Sequence, residues 1–175
     1  VHVPLSVEAQ MESRLLMLSS NSIFSPASGK SIMTPTQDIV LGIYYLTKVR
    51  DKALGEGLAF SDEQEAILAY QDGQIHKHAK CKIRLSNGET VETTMGRILF
   101  NEVLPEGFRY VNDIVNKGKL SKIIAECYNA FGHEEVVKLL DRLKALGFAE
   151  ATKAGLSIGI DDIHIPDAKE GILNE

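Results

Sequence analysis

Phe24 to Thr47 reads FSPASGKSIMTPTQDIVLGIYYLT, with Gly29-Lys30-Ser31 inside it. That triplet closes phosphate-cradling loops in nucleotide hydrolases. Such a loop needs another glycine five residues before the second, so that a tight turn aims backbone N–H groups at the phosphates. Phe24 occupies that position. The triplet should also open straight into a helix, whereas Ile32, Met33, Thr34 and Pro35 follow it. Pro26, Ser28 and Gly29 instead have the chemistry of a surface turn. Thr34-Pro35-Thr36-Gln37 then has the form of a capping box, with proline at the first helical position. It predicts a helix carrying Ile39, Val40, Ile43 and Tyr44 on its apolar side, with Gln37 and Asp38 at its positive end.

Outward from this stretch, Ser6 caps an expected helix to about Ser19, with Met11, Leu15 and Leu18 on one face. A short strand is expected around Ser31 to Met33. Ser61-Asp62-Glu63-Gln64 is a second capping box, for a helix presenting Ala66, Ile67 and Tyr70 and ending near Gly73. Ala79 to Leu85 alternates as a strand, and Asn87-Gly88 turns it back through Glu89 to Thr93. Further helices are predicted from about Met95 to Leu104, stopped by Pro105, and from Leu120 to Phe131. Another runs from Glu134 to Leu146 and stops at Gly147. Ser157 to Ile165 reads as extended. No repeat, low-complexity run or linker divides the chain. The expected fold class is α+β, mainly α-helical: orthogonally packed helices with a small antiparallel β-hairpin.

A chain of 175 residues, 44% hydrophobic and 25% charged, can bury one sizeable core. No apolar run approaches the roughly 20 residues a membrane helix needs. VHVPLSVEAQ lacks the basic and apolar regions of a signal peptide. Cys81 and Cys127 stand alone and fit a reducing, cytoplasmic compartment. With 19 Lys+Arg against 24 Asp+Glu, the net charge of −5 argues against a free-standing duplex-DNA binder. The start on VHVP without methionine and the finish on PDAKEGILNE both read as cuts in a longer polypeptide.

Candidate chemistry is sparse. His76, His78 and Cys81 contain zinc-binding residue types, but on a strand Cys81 faces away from the histidines and no fourth ligand has a useful spacing. A solvated strand edge is the favoured reading, and no metal site is expected. Asp161 and Asp162 point to opposite faces of an extended segment, which suits turn capping better than Mg²⁺ binding. Lys80, Lys82 and Arg84 read as a polar strand face that resists edge pairing. No nucleophile–base arrangement is defensible from spacing. Lys117, Lys119 and Lys122, in NKGKLSK, crowd a helix start. There they suit either an anion such as a phosphate or a plain solvated surface.

Several stretches, in order, resemble the largest catalytic subunit of bacterial-type multisubunit RNA polymerase, the beta-prime family. VHVPLSVEAQ resembles the segment after that family's catalytic aspartate loop, NADFDGDQMA, and this chain begins one residue past the loop. LMLSSNSIFSPASGKSIMTPTQDIVLGIYYLT is similar to the next and most specific stretch. GEGLAFSD, HAKCKIRL, TTMGRILFNEVLP, NKGKLSKIIAECY and GFAEATKAGLSIGIDDIHIP follow in the family's order. Asp51 to Glu92 is looser and shorter than in many relatives.

The resemblance implies residues 1–20 as the tail of the active-site domain and 21–165 as the pore domain, with 166–175 opening the funnel and rim helices. The pore domain lines the secondary channel, through which nucleoside triphosphates enter and the 3′ end of backtracked RNA is extruded. Gln37 matches a glutamine of the family's PSQD stretch near the incoming nucleotide, with Thr36 where serine is usual. Lys117, Lys119 and Lys122 match a basic stretch beside the channel. The catalytic residues and the ligands of the full enzyme's Mg²⁺ would lie upstream of Val1, so the segment itself carries no catalytic residue and no cofactor. Implied partners are the other core subunits, nucleoside triphosphate, the RNA 3′ end, template DNA and channel-binding transcript-cleavage factors, in the cytoplasm.

The chain alone is therefore expected to be catalytically inert; template-directed nucleotide incorporation by the purified 175-residue polypeptide would overturn this. The rival reading is a self-standing interaction or regulatory module, which a native gene with these two boundaries would favour. A third, an independent metalloenzyme, would require stoichiometric zinc after dialysis. Apolar surfaces left by a dismembered complex predict weak self-association, and light scattering from a strict monomer at high concentration would count against it.

Overall fold

The computed structural model describes residues 3–85, 87–163, 169 and 173. Ser6 caps α1 (Val7–Glu12), its hydroxyl accepting from the Ala9 amide at 3.2 Å. The helix then widens into a π turn over Ser13–Met17, where Ser13 Oγ donates to the Ala9 carbonyl. Back-bonding of this kind competes with the helical ladder. The expected single helix to Ser19 is thus broken, and Met11, Leu15 and Leu18 are exposed.

Ile23 is buried, and Phe24 packs on Tyr128 with ring centroids 4.5 Å apart. These anchors hold a turn closed by Gly29 N donating to Ser25 O and Ser25 N to Lys30 O. A lone bridge between Phe24 and Ser31 stands where a strand over Ser31 to Met33 was expected. The Gly-Lys-Ser triplet therefore closes a surface turn, and the helix α2 (Gln37–Thr47) follows.

β1 (Ala59–Phe60), α3 (Glu63–Gln71), β2 (Lys80–Arg84) and β3 (Thr90–Thr94) come next. The cap of α3 lies one residue later than the sequence reading. Asp62 Oδ1 accepts from Glu65 N at 2.7 Å, and Glu65 Oε2 reaches back to Ser61 N and Oγ. A carboxylate is the stronger acceptor beside a positive helix end, so Asp62 displaces Ser61. The β2–β3 hairpin forms about Asn87-Gly88 as expected, Lys82 facing Glu92 across it. β1 adds parallel to β2, making a three-stranded mixed sheet. Its two residues are too few to show alternation in sequence.

α4 (Met95–Glu102), α5 (Lys117–Phe131) and α6 (His133–Ala154) complete the mainly helical α+β fold. Phe100 of α4 belongs to a core built with α2, α5 and α6, while Met95 and Ile98 belong to a second core under the sheet and α3. α4 is the wall between them. α5 begins at Lys117 rather than Leu120, because Asn116 supplies the cap.

α6 runs straight through Gly147, where the sequence reading stopped it, and ends at Gly155, a left-handed residue with φ 57°. Gly147 is a contact and not a stop. A Cβ there would lie 2.7 Å from the Ile39 carbonyl oxygen, and one on Gly42 would lie 2.0 Å from the Gly147 oxygen. The two glycines let the backbones of α2 and α6 touch. Beyond α6, Ile160–Asp162 makes a single 3-10 turn in which Asp162 Oδ2 accepts from Gly159 N at 2.8 Å. The run expected to be extended is interrupted by that turn, with Gly159 before it and Ile163 after it in extended backbone. Residues 164 and 165, the stretch 166–175 apart from Lys169 and Leu173, and residues 1 and 2 lie outside the described residues.

Gly42→Ala and Gly147→Ala are each expected to lower stability by about 3 kcal/mol or more, since overpacking against backbone exceeds the usual 1–3 kcal/mol for side-chain crowding. The gain of about 1 kcal/mol in helix propensity does not offset this. Gly118→Ala in α5, whose Cβ would meet only Asn116 Oδ1 at 3.5 Å, should be neutral or stabilising. Urea denaturation of the three variants checks the order.

Candidate functional site

The predicted cap around Gln37 does not form. Thr36 is the N-cap, its side chain makes no capping hydrogen bond, and Gln37 is the first helical residue instead of the third. Pro35 is buried in the loop before it. Gln37 has φ 49°, left-handed backbone that costs a residue with a Cβ roughly 1–2 kcal/mol. Its side chain is exposed. Gln37 is thus not occupied in closing its own helix, and Asp38 follows on the same exposed end.

At the start of α5, Asn116 Oδ1 accepts from Lys119 N at 3.0 Å. Lys119 Nζ lies 3.0 Å from Asp113 Oδ2, and that hydrogen bond holds the aspartate below the usual carboxylate range. Lys117 and Lys122 are exposed and, among the described residues, make no ion pair. The three lysines share one helix start, but no hydrogen bond or ion pair among the described residues joins them to Gln37. α2 and α5 are related through α6, against which both pack. Open clefts of about 520 and 540 Å³ lie elsewhere, around Leu104, Pro105 and Glu106.

The structure gathers a polar cluster that sequence reading missed. Arg97 of α4 donates from Nε to the Thr47 carbonyl at the end of α2, and from one terminal nitrogen to Asn112 O and Oδ1. Thr47 Oγ1 in turn accepts from Val115 N at 3.0 Å and donates to Ile43 O. Asn101 accepts from Val111 N and donates to Val111 O. The segment 111–115, which leads into the Asn116 cap, is thereby tied to α2 and α4. Nothing in the local spacing of TTMGRILF announces this, because every partner of the guanidinium is distant in sequence.

The histidines are not on a solvated strand edge. His76 and His78 precede β2 in a turn, and His78 is buried with Nδ1 3.0 Å from the Lys48 carbonyl, its ring edge-on to Tyr45. Since a carbonyl only accepts, Nδ1 carries the proton, and Nε2 has no partner. Burial lowers both histidine pKa values, helped at His76 by Arg50 and at His78 by His76. Burial pushes the Cys81 thiol up to about 11, which disfavours the thiolate a metal needs. Among the described residues no group of three or more His, Cys, Asp or Glu is disposed to hold a metal.

Beside this turn, Glu150 of α6 is 3% exposed and accepts from Lys77 Nζ at 3.1 Å and Lys153 Nζ at 2.9 Å. Lys77 also lies 5.4 Å over the Tyr45 ring. Burial would raise the Glu150 pKa, but the two lysine hydrogen bonds outweigh it and hold it below 4.5. A legible signal exists here: Val136, Leu139, Leu143, Gly147 and Glu150 form one buried stripe, so a carboxylate sits on an apolar face. The stripe is complete only because the helix continues past Gly147.

Residues 22–163 match the family model described as RNA polymerase Rpb1, domain 3, and the chain belongs to that family. It is 55% identical over 173 residues to the DNA-directed RNA polymerase subunit beta' of Desulforamulus reducens, covering 99% of this chain and 15% of that one. It is 52% identical over 175 residues to the subunit of the same name from Desulforudis audaxviator, with 100% and 15% covered. For Aquifex pyrophilus the figures are 51% over 176 residues, with 100% and 11% covered. The chain thus spans about 15% or less of the length of these relatives. No helix among the described residues is long and apolar enough to cross a membrane.

Acid should weaken the fold in two windows. The histidines, with folded pKa values below 6.5, contribute stability that is full above 6.5 and lost as pH falls through the folded values. Glu150, folded below its ordinary 4.5, contributes stability that is lost only at still lower pH. Glu150→Gln should remove the second loss, and Glu150→Ala should cost about 3 kcal/mol at neutral pH by leaving Lys77 half-buried and unpaired. Denaturant midpoints measured from pH 8 to pH 3 (about one unit apart) check both.

Proposed function

We propose that this chain is the part of the largest subunit of a DNA-directed RNA polymerase that lines the secondary channel, conducting nucleoside triphosphates inward and backtracked RNA 3′ ends outward. In this reading 21–165 is the pore domain, 1–20 the tail of the active-site domain and 166–175 the start of the rim. Gln37, Lys117, Lys119 and Lys122 face the channel. Supporting the assignment are the family membership and the relatives' shared identity as beta' subunits.

The observation that carries the residue assignment is Gln37 itself. An exposed glutamine held at φ 49°, with its capping role vacated, is strain of the kind that persists where a side chain has work outside its own fold. The lysines supply positive potential beside a helix start. An incoming triphosphate is concentrated and oriented by such fixed charge. Nucleotidyl transfer itself needs carboxylate-held metal ions, which this reading assigns to the rest of the subunit. The segment then needs the other core subunits, template DNA and the channel's transcript-cleavage factors as partners, acts in the cytoplasm, and is inactive by itself.

The test is made in the assembled polymerase, measuring KM for nucleoside triphosphates at low and moderate salt. Gln37→Glu, Lys117→Ala, Lys119→Ala and Lys122→Ala should each raise KM about 1.4- to fivefold, the worth of an exposed charge contact, and less at higher salt. Lys119→Ala should be the largest, because it also unmasks Asp113. Gln37→Gly should leave stability within about 1 kcal/mol, relief of strain offsetting glycine's entropy, while still raising KM. Unchanged KM in all these variants would remove the channel assignment.

A further inference from the structure

Arg97 is a half-buried arginine with no carboxylate in ion-pairing distance among the described residues; its fork is directed at neutral oxygens of Thr47 and Asn112. Thr47 is the last residue of α2, Asn112 lies in the segment that delivers α5, and Arg97 stands in the first turn of α4. The same Thr47 takes the Val115 amide on its hydroxyl, one residue before the Asn116 cap. Asn112 is held from its far side too, Nδ2 donating to Glu92 O of β3 at 2.8 Å.

The base on which this fork stands is rigid. Gly96, next to Arg97, brings α4 so close to the end of α2 that a Cβ would lie 1.9 Å from the Leu46 carbonyl oxygen. Gly96 N also donates to Lys77 O at 2.7 Å. A planar guanidinium making bonds at fixed angles from such a base sets both distance and direction. The end of α2 and the approach to α5 are therefore gauged against each other through the Arg97 guanidinium, beside the direct bond from Val115 N to Thr47 Oγ1.

We propose that Arg97 is a positioning residue: through Thr47 and Asn112 it sets the start of α5, and with it Lys117, Lys119 and Lys122, relative to α2 and Gln37. This rests on the channel reading above. Arg97 touches no nucleotide in this scheme; it acts through the lysines. Lysine cannot replace it, since an ammonium lacks the fork that spans Thr47 O and Asn112 O together.

The test uses the assembled polymerase and compares Arg97→Lys, Arg97→Gln and Asn112→Ala, alone and in a Lys117→Ala/Lys119→Ala/Lys122→Ala background. Asn112→Ala removes the side-chain part of the loop's anchor, the Oδ1 bond to Arg97 and the Nδ2 bond to Glu92 O, leaves the backbone Asn112 O bond in place, and keeps the test alive if the arginine variants fail to assemble. The expected result is a rise in KM for nucleoside triphosphate comparable to that of the lysine variants, with little change in kcat, in all three single variants. In the lysine-free background the same changes should raise KM no further, because there is nothing left to position. Additive KM increases in that background, or unchanged KM in Asn112→Ala and Arg97→Lys with the lysines present, would overturn the inference. A lysine-free polymerase with ordinary KM would instead remove the lysines from the channel reading beneath it, so the two failures are distinguishable.

Discussion

The close approach of α2 to its neighbours is the constraint on which the rest of the structure depends. Gly42 and Gly147 remove the side chains that would hold α2 and α6 apart, and Gly96 does the same between α2 and α4. Backbone contact at these points leaves little freedom for repacking, because protein interiors are as dense as crystals and yield poorly to added volume. α2 is therefore fixed at both its middle and its end. Its exposed first residue, Gln37, is carried on a rigid support.

Around that axis the fold divides its burial between two cores that meet at α4. Apolar packing alone would let the sheet-bearing half shift over the helical half. Polar contacts pin the two at separate places. Arg97 and Asn112 tie β3, α4 and the end of α2 to the approach of α5, while Lys77 and Glu150 tie the turn before β2 to α6. Glu150 is costly to bury and becomes stabilising only because two ammonium groups meet it. Such contacts orient the halves more than they add to stability.

The inside is closed by glycine contacts and, His78 Nε2 apart, by satisfied polar side chains among the described residues. The exposed features are an unpacked apolar face on the first helix, Gln37 at positive φ, and Lys117 and Lys122 at the start of α5.

Where order in the chain is governed by neighbours a few residues apart, the sequence by itself determined the outcome. The Asn87-Gly88 hairpin, the Gly-Lys-Ser turn, the Ser6 cap and the middles of the helices from α2 to α6 rest on local interactions and were readable, whereas the single helix expected to Ser19 does not form. Membership of the polymerase family was readable too, since its stretches are contiguous. Tertiary structure alone decided the remainder. Gly147 is a chain stop by local propensity, yet contact with Ile39 keeps α6 helical through it. The box at Thr34 to Gln37 is sound by pattern, yet Pro35 is buried in the preceding loop and the helix starts at Gln37. β1 exists only because β2 is there to pair with it. Glu150, His78 and Arg97 were legible as charged or polar residues but not as buried ones, because each has a partner 30 to 73 residues away, Lys77, Lys48 and Thr47 respectively. Short-range chemistry can be read along a line, whereas the free energy of a buried polar group depends on what surrounds it in space.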